Sequence, residues 1–256
     1  MKAVILAGGL GTRLREETDV KPKPMVEIAG KPILWHLMRN LSGFDMKDFV
    51  VCGGYKVNVI KDYFLNYSRL NNNVAIDLSI PDSYTVLDDS EPLNWKVLVA
   101  DTGPLTNTGG RIKKIQSYVN GETFFCTYGD GLSDVNISDL LKFHKSHGKI
   151  ATVTVAKAQS RFGLVDFAND GTVVGFHEKP QLDAWVNIGF FIFEPRIFDY
   201  LLDESVLEQE PLQQLTNAGE LVAFKHEGFW QPMDTYREMV ILNSLWENGL
   251  APWKNW

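Results

Sequence analysis

The chain has 256 residues, 45% of them hydrophobic and 22% charged, with a formal net charge of −7. That length suits one large α/β domain, or one with a small appendage. The acidic balance argues against a nucleic-acid surface, and no apolar run reaches the roughly 20 residues that a membrane span needs. Cys52 and Cys126 each lie in an apolar run with no Cys-x-x-Cys, which reads as two buried thiols in a reducing cytoplasm. The five histidines show no zinc-ligand spacing.

Ala3 to Ala7 is wholly apolar and predicts a strand buried on both faces of a parallel sheet. It is too short for a signal-peptide core. It runs into Gly8, Gly9, Gly11, Thr12 and Arg13. Glycines let a second group approach the backbone amides, successive N–H groups make an anion nest, and the guanidinium adds a forked charge. The stretch is a phosphate site in outline. It does not fit the Gly-x-x-x-x-Gly-Lys-Ser/Thr loop, and Leu14 stands where the dinucleotide fingerprint needs its third glycine. A cationic, proline-stiffened segment follows, Val20 to Met25, carrying Lys21 and Lys23.

Pro32 to Gly43 has helical spacing with proline at its first turn, and Asp48 to Gly54 is a second buried strand. Val57 to Tyr67 returns to a helical period, and Val74 to Ile80 alternates as a strand. The order βαβαβ predicts a parallel sheet with crossover helices. Pro81 to Trp95 is polar and unpatterned, either a loop or a hairpin. Lys96 to Asp101 is a strand. Thr102 to Gly110, with Thr106, is a loop that presents amides ahead of a helix from Arg111 to Tyr118.

Thr123 to Tyr128 is an apolar strand that ends in Gly129-Asp130-Gly131. Ligands of open parallel sheets gather beyond strand carboxyl ends, and a carboxylate flanked by glycines suits a hard divalent cation that keeps several waters. Ile137 to His147 reads as a helix, with His144 and His147 as surface or core residues. Ile150 to Ala156, Phe162 to Phe167, Thr172 to His177 and Val186 to Phe193 are strand-like, with a turn at Arg161 to Gly163. Pro195 to Leu202 and Glu210 to Ala218 are short helices, and Leu221 to Lys225 is a strand. Asp234 precedes the helical Tyr236 to Asn248, where an aspartate is commonly a cap. Trp246, Trp253 and Trp256 make an aromatic terminus that docks on this chain's body or on a sister subunit.

Leu6-Ala7-Gly8-Gly9-Leu10-Gly11-Thr12-Arg13-Leu14, then Lys21-Pro22-Lys23-Pro24-Met25-Val26-Glu27-Ile28 and Gly30-Lys31-Pro32-Ile33, resemble the signature of the sugar-1-phosphate nucleotidyltransferases. Gly228 to Thr235 is similar to the branch of that family that transfers a cytidylyl group to glucose 1-phosphate. The resemblance spans essentially the whole chain. It implies a single Rossmann-like, mixed and mostly parallel sheet flanked by helices, with a nucleotide-binding half at 1–135. A sugar-binding half at 136–256 would end in a small part for sugar binding and oligomerisation.

The resemblance further implies CTP and glucose 1-phosphate as substrates, and CDP-glucose and pyrophosphate as products. It implies Mg²⁺ held by Asp130 and Asp234, a cytoplasmic enzyme, and a homo-oligomer such as a hexamer. Arg13 and the turn amides would steady the pyrophosphate, while Lys23 and Lys179 would offset charge on the reacting phosphates. Leu6 to Gly9, Gly11, Thr12, Thr106, Arg111 and Gly129 would surround the nucleotide. Glu178, Lys179, Asn187, Gly189 and Trp230 would hold the sugar. Ile188 departs from the glycine usual in that branch, and its bulk either packs on the core or trims the sugar pocket. Two alternatives stand beside this reading: thymidylyl or uridylyl transfer to a related hexose 1-phosphate, and a catalytically silent regulatory subunit. Retention of Arg13, Lys23, Asp130 and Asp234 weighs against the second.

Overall fold

Strand β1, Ala3–Ala7, is buried along its whole length, and its side chains divide between two cores. Ala3, Ile5 and Ala7 face one, Val4 and Leu6 the other. β2 (Asp48–Gly53) repeats the division, with Phe49 and Val51 against Val50 and Cys52. A sheet apolar on both faces needs a layer on each. The computed structural model describes residues 1–87, 93–119, 121–160 and 162–256.

The remaining strands of this sheet are β3 (Lys96–Asp101), β4 (Phe124–Tyr128), β5 (Ala151–Gln159), β6 (Gln181–Phe193) and β7 (Leu221–His226). Seven strands run in the order β7-β5-β6-β4-β1-β2-β3. β6 pairs antiparallel to both β4 and β5, and every other pairing in the sheet is parallel. The mixed, mostly parallel sheet therefore comes from one reversed strand. After β1 the chain builds outward through β2 and β3, then returns to place β4 on the other side of β1. The crevice beyond β1 and β4 is a topological switch point, where open α/β sheets take their ligands.

Helix α1, Ile33–Ser42, buries Ile33, Leu34, Leu37, Met38 and Leu41, a stripe of period 3.6. α2 (Val57–Leu65) follows β2. α3 is Thr108–Lys114, beginning three residues ahead of the expected Arg111. α4, Ile137–His147, is capped by Asn136, whose side chain accepts from the Asp139 amide at 3.2 Å. α5 is Glu210–Asn217 and α6 is Tyr236–Glu247. Among the described residues no helix is long and apolar enough to cross a membrane.

One expected strand falls elsewhere. Val74 to Ile80 is not the third strand of the parallel sheet; Lys96–Asp101 takes that place. Asn73–Ile76 pairs instead with Tyr84–Leu87 as a separate hairpin. The reason is in its pattern: parallel strands covered on both faces read as continuous apolar runs, and Asp77 and Ser79 break this one. Part of the Pro81 to Trp95 stretch, residues 88–92, and Arg161 of the expected turn lie outside the described residues. Leu164–Phe167 and Val173–His177 form a second hairpin off the main sheet.

The tryptophan-rich end docks on the body of this chain. Trp253 is fully buried, its carbonyl accepts from Asn40 Nδ2 at 2.7 Å, and its ring stacks near Phe229. Ile188 is 3% exposed and belongs to the core, so its bulk packs inward. His144 is likewise internal, bonded to Thr152 and Glu194.

Candidate active site

The carboxyl ends of β1 and β4 open into a cleft of about 440 Å³. Its floor is Leu6 and Ala7 with the glycine turn on one side, and Tyr128, Gly129 and Asp130 on the other. The Gly129 amide donates to the Leu6 carbonyl at 2.9 Å, which locks the two strand ends together.

Lys23 enters from a single 3-10 turn, Lys23–Met25, bracketed by Pro22 and Pro24. The prolines fix φ near −65°, so the lysine leaves a stiff stem. Asp130 and Asp234 arrive by a different device. Gly131–Ser133 pairs antiparallel with Trp230–Pro232, and the Met233 amide donates to the Asp130 carbonyl at 2.8 Å. That short ladder sets the two carboxylates side by side.

Lys23 Nζ donates to Asp130 Oδ2 at 2.5 Å and to Asp234 Oδ1 at 2.5 Å, bridging residues up to 211 positions apart. Arg13 Nη1 adds a 2.9 Å bond to Asp234 Oδ2. Burial pulls the Lys23 ammonium down, but Asp130 and then Asp234 outweigh it and leave its pKa above the usual lysine value. The N-cap of α6 is Thr235, in a capping box with Glu238. Asp234 is therefore not the cap, and its carboxylate faces the cleft.

The donor set suits a divalent cation. One oxygen from each aspartate already converges on a single cationic nitrogen. Two carboxylates, completed by water and phosphate oxygens, make an environment that a hard divalent ion takes. Among the described residues no cluster of three or more His, Cys, Asp or Glu forms a self-sufficient metal cage, so substrate oxygens would have to complete the shell. The residues fit such an ion.

Leu6, Ala7, Gly8, Gly9, Gly11, Thr12, Arg13, Lys23, Thr106, Arg111, Gly129, Asp130 and Asp234 all line the one cleft. Glu178, Lys179, Asn187, Gly189 and Trp230 lie outside its lining. Lys179 pairs with Glu178 at 3.2 Å on the surface. Asn187 Oδ1 accepts from the Gly189 amide at 2.7 Å, and Gly189 packs on the ring of Tyr128, which lines the cleft. The Trp230 indole N–H is buried beside Gly131 without a hydrogen-bond partner among the described residues.

Glu208 was not singled out from the sequence, yet it lines the cleft. It accepts from the Tyr128 hydroxyl and, at 2.7 Å, from Thr108 Oγ1. Burial and then Glu208 hold the Tyr128 pKa above its ordinary value. Glu208 precedes the short helix α5 and carries no motif, so only the folded chain reveals it.

Residues 2–235 match the family described as Nucleotidyl transferase. The chain belongs to that family. Among relatives of this nucleotidyl transferase, the glucose-1-phosphate cytidylyltransferase of Salmonella typhimurium is 51% identical over 259 residues, with all of both chains covered. The probable glucose-1-phosphate cytidylyltransferase of Bacillus subtilis is 41% identical over 258 residues, again over all of both chains. The crystal structure of HddC from Yersinia pseudotuberculosis superposes with a TM-score of 0.70 at 25% identity, covering 96% of this nucleotidyl transferase and 99% of HddC.

Proposed function

We propose that this nucleotidyltransferase moves a cytidylyl group from CTP to α-D-glucose 1-phosphate, giving CDP-glucose and pyrophosphate. The observation that carries the chemistry is the convergence of Arg13, Lys23, Asp130 and Asp234 at the mouth of the glycine turn. The full-length identity to two cytidylyltransferases supports the choice of base and sugar.

A phosphate oxygen of glucose 1-phosphate forms a bond to the α-phosphorus of CTP. The bond from that phosphorus to the bridging oxygen breaks, and pyrophosphate leaves with the electron pair. Two polyanions must meet, so alignment and charge neutralisation are the main obstacles. The turn amides and Arg13 receive the β- and γ-phosphates. Lys23 would offset charge where the α-phosphate meets the acceptor. Asp130 and Asp234 would hold Mg²⁺, which when bound supplies further charge neutralisation on the reacting phosphates. Lys179 and Glu178, on the rim, would receive the sugar phosphate and ring. No covalent intermediate is required.

The two hairpins support a homo-oligomer. Phe167, Val174 and Phe176 are 71%, 67% and 65% exposed, isolated two-stranded hairpins are marginal in water, and clustered exposed apolar side chains mark association surfaces. A nucleotide half at 1–135 and a sugar half at 136–256 remain our division of the chain, working as one unit because Lys23 reaches Asp234. A reducing cytoplasm is the proposed compartment, in keeping with the buried free thiols of Cys52 and Cys126; burial pushes Cys52 up to about 12.

The test is pyrophosphate release from each of four nucleoside triphosphates against a panel of hexose 1-phosphates. CTP with glucose 1-phosphate should lead by a wide margin. Preference for another nucleotide or sugar would replace the assignment.

A further inference from the structure

Arg111 is 4% exposed, and an arginine so buried ordinarily carries a carboxylate partner. Its guanidinium instead meets backbone and hydroxyl oxygens from three strand ends. Nη2 donates to the Gly8 carbonyl at 3.0 Å. Nη1 donates to Thr102 Oγ1 at 2.6 Å, to the Gly103 carbonyl at 2.8 Å and to the Gly53 carbonyl at 3.1 Å. These acceptors stand at the carboxyl ends of β1, β2 and β3, so one planar cation ties the three loops at the switch point.

The surroundings are shaped to that cation. A Cβ on Gly8 would fall 2.1 Å from Arg111 Cζ, and one on Gly54 would fall 2.4 Å from Nη1. Two glycines thus have no side chain where the guanidinium lies against the backbone. Gly8 is also the first residue of the phosphate-receiving turn, and fixing its carbonyl orients the peptide plane that carries the next amide.

We infer that Arg111 is a positioning residue for the nucleotide: by gripping the Gly8 carbonyl against the ends of β2 and β3, it aims the glycine-turn amides at the triphosphate. The inference rests on the nucleotidyl-transfer reading of the cleft, but not on which base is used. Recognition of the base by Arg111 is the competing role, and a probe without a base separates the two.

The experiment measures binding of CTP and of inorganic tripolyphosphate by calorimetry to the wild-type protein, Arg111→Ala, Arg111→Lys, Gly54→Ala, Gly8→Ala and the double variant Gly8→Ala/Arg111→Ala. Gly54 is not part of the cleft lining, so its variant presses on the guanidinium and on the Gly103 carbonyl that it grips without touching ligand. A hydrogen bond to a charged group is worth roughly tenfold to a hundredfold in affinity. Arg111→Ala and Gly54→Ala should therefore weaken both ligands by similar factors, on the order of tenfold to a hundredfold. Arg111→Lys should not rescue, since a point charge cannot bridge three loops. Gly8→Ala should weaken binding in the wild-type background and add little on top of Arg111→Ala, the non-additivity expected of groups in contact.

Loss for CTP with tripolyphosphate unaffected would overturn the inference in favour of base recognition. Full additivity of Gly8→Ala and Arg111→Ala, or unchanged binding in Gly54→Ala, would also overturn it. Should Arg111→Ala fail to fold, Arg111→Lys and Gly54→Ala decide on the same readout. A wild-type protein that binds neither ligand would count against the nucleotidyl-transfer reading, a result distinct from every outcome above.

Discussion

Lys23 is the residue on which the cleft turns, because a single ammonium is shared by two carboxylates and sits at the mouth of the glycine turn. Removing it leaves Asp130 and Asp234 facing each other and, on the proposed function, takes a fixed cation from beside the reacting phosphates. Loss of one preorganised charge of this kind typically costs about 10²–10³ in turnover. Lys23→Ala and Asp130→Asn should each lower kcat by roughly that factor, with unchanged circular dichroism. Near-normal turnover in both variants would remove these residues from the chemistry. The place of Asp130 in the cleft was legible from its flanking glycines at a strand end. That of Glu208 was not, because its position depends on how the loop before α5 folds back towards β4.

At the scale of elements, α1 and the C-terminal segment are joined by a neutral histidine. His36 Nε2 donates to the Ile28 carbonyl at 2.8 Å, and Nδ1 faces the Trp253 indole N–H at 3.5 Å. A proton on Nδ1 would set one donor against another. Burial pulls the His36 pKa down to about 4, the Ile28 carbonyl bond offsets part of that, and Lys31 lowers it further. The unfolded chain therefore binds the proton more readily than the folded one between about 6.5 and 4. Stability is full above pH 6.5, falls as pH drops towards 4 and levels off below, by on the order of 3 kcal/mol if the whole shift is expressed. Urea midpoints at pH 7 and pH 4.5 should show that loss, and His36→Gln should reduce it, leaving the share of His144 and His147, whose pKa values burial also lowers. An equal slope in the variant would assign the acid sensitivity to other groups. Trp253→Ala empties the same contact and should cost roughly 3–5 kcal/mol, read as a lower urea midpoint at pH 7.

The same elements show which parts of the sequence could be read directly. β1, β2 and β4 are continuous apolar runs buried on both faces, and that pattern has one common structural solution. The hairpin strand Asn73–Ile76 is only four residues long, and nothing local distinguishes a sheet strand from a projecting one. The three tryptophans announced a docking terminus without saying onto what, because α1 and its His36 lie more than 200 positions away, 217 from Trp253.

Over the whole molecule, the cleft draws its charges from both ends of the chain: Arg13 and Lys23 precede α1, whereas Asp234 comes just before α6. A ligand that bridges these groups ties the first and last parts of the chain together, and it binds the folded state alone, since no local segment holds the full set. Its binding free energy then appears as folding free energy. At a CTP concentration a hundredfold above its dissociation constant this amounts to about 2.7 kcal/mol. For a chain of this size that is a rise in melting temperature of roughly 5–10 °C. Lys23→Ala should shrink the shift when CTP is held at the same concentration, because part of the phosphate contact is gone while the rest of the cleft persists. Glucose 1-phosphate alone should give a smaller shift than CTP, since Glu178 and Lys179 stand on the rim rather than in the cleft lining. A CTP shift that is the same in Lys23→Ala as in the wild-type protein would place the triphosphate away from the amino-terminal turn, and the cleft at the switch point would then belong to another ligand.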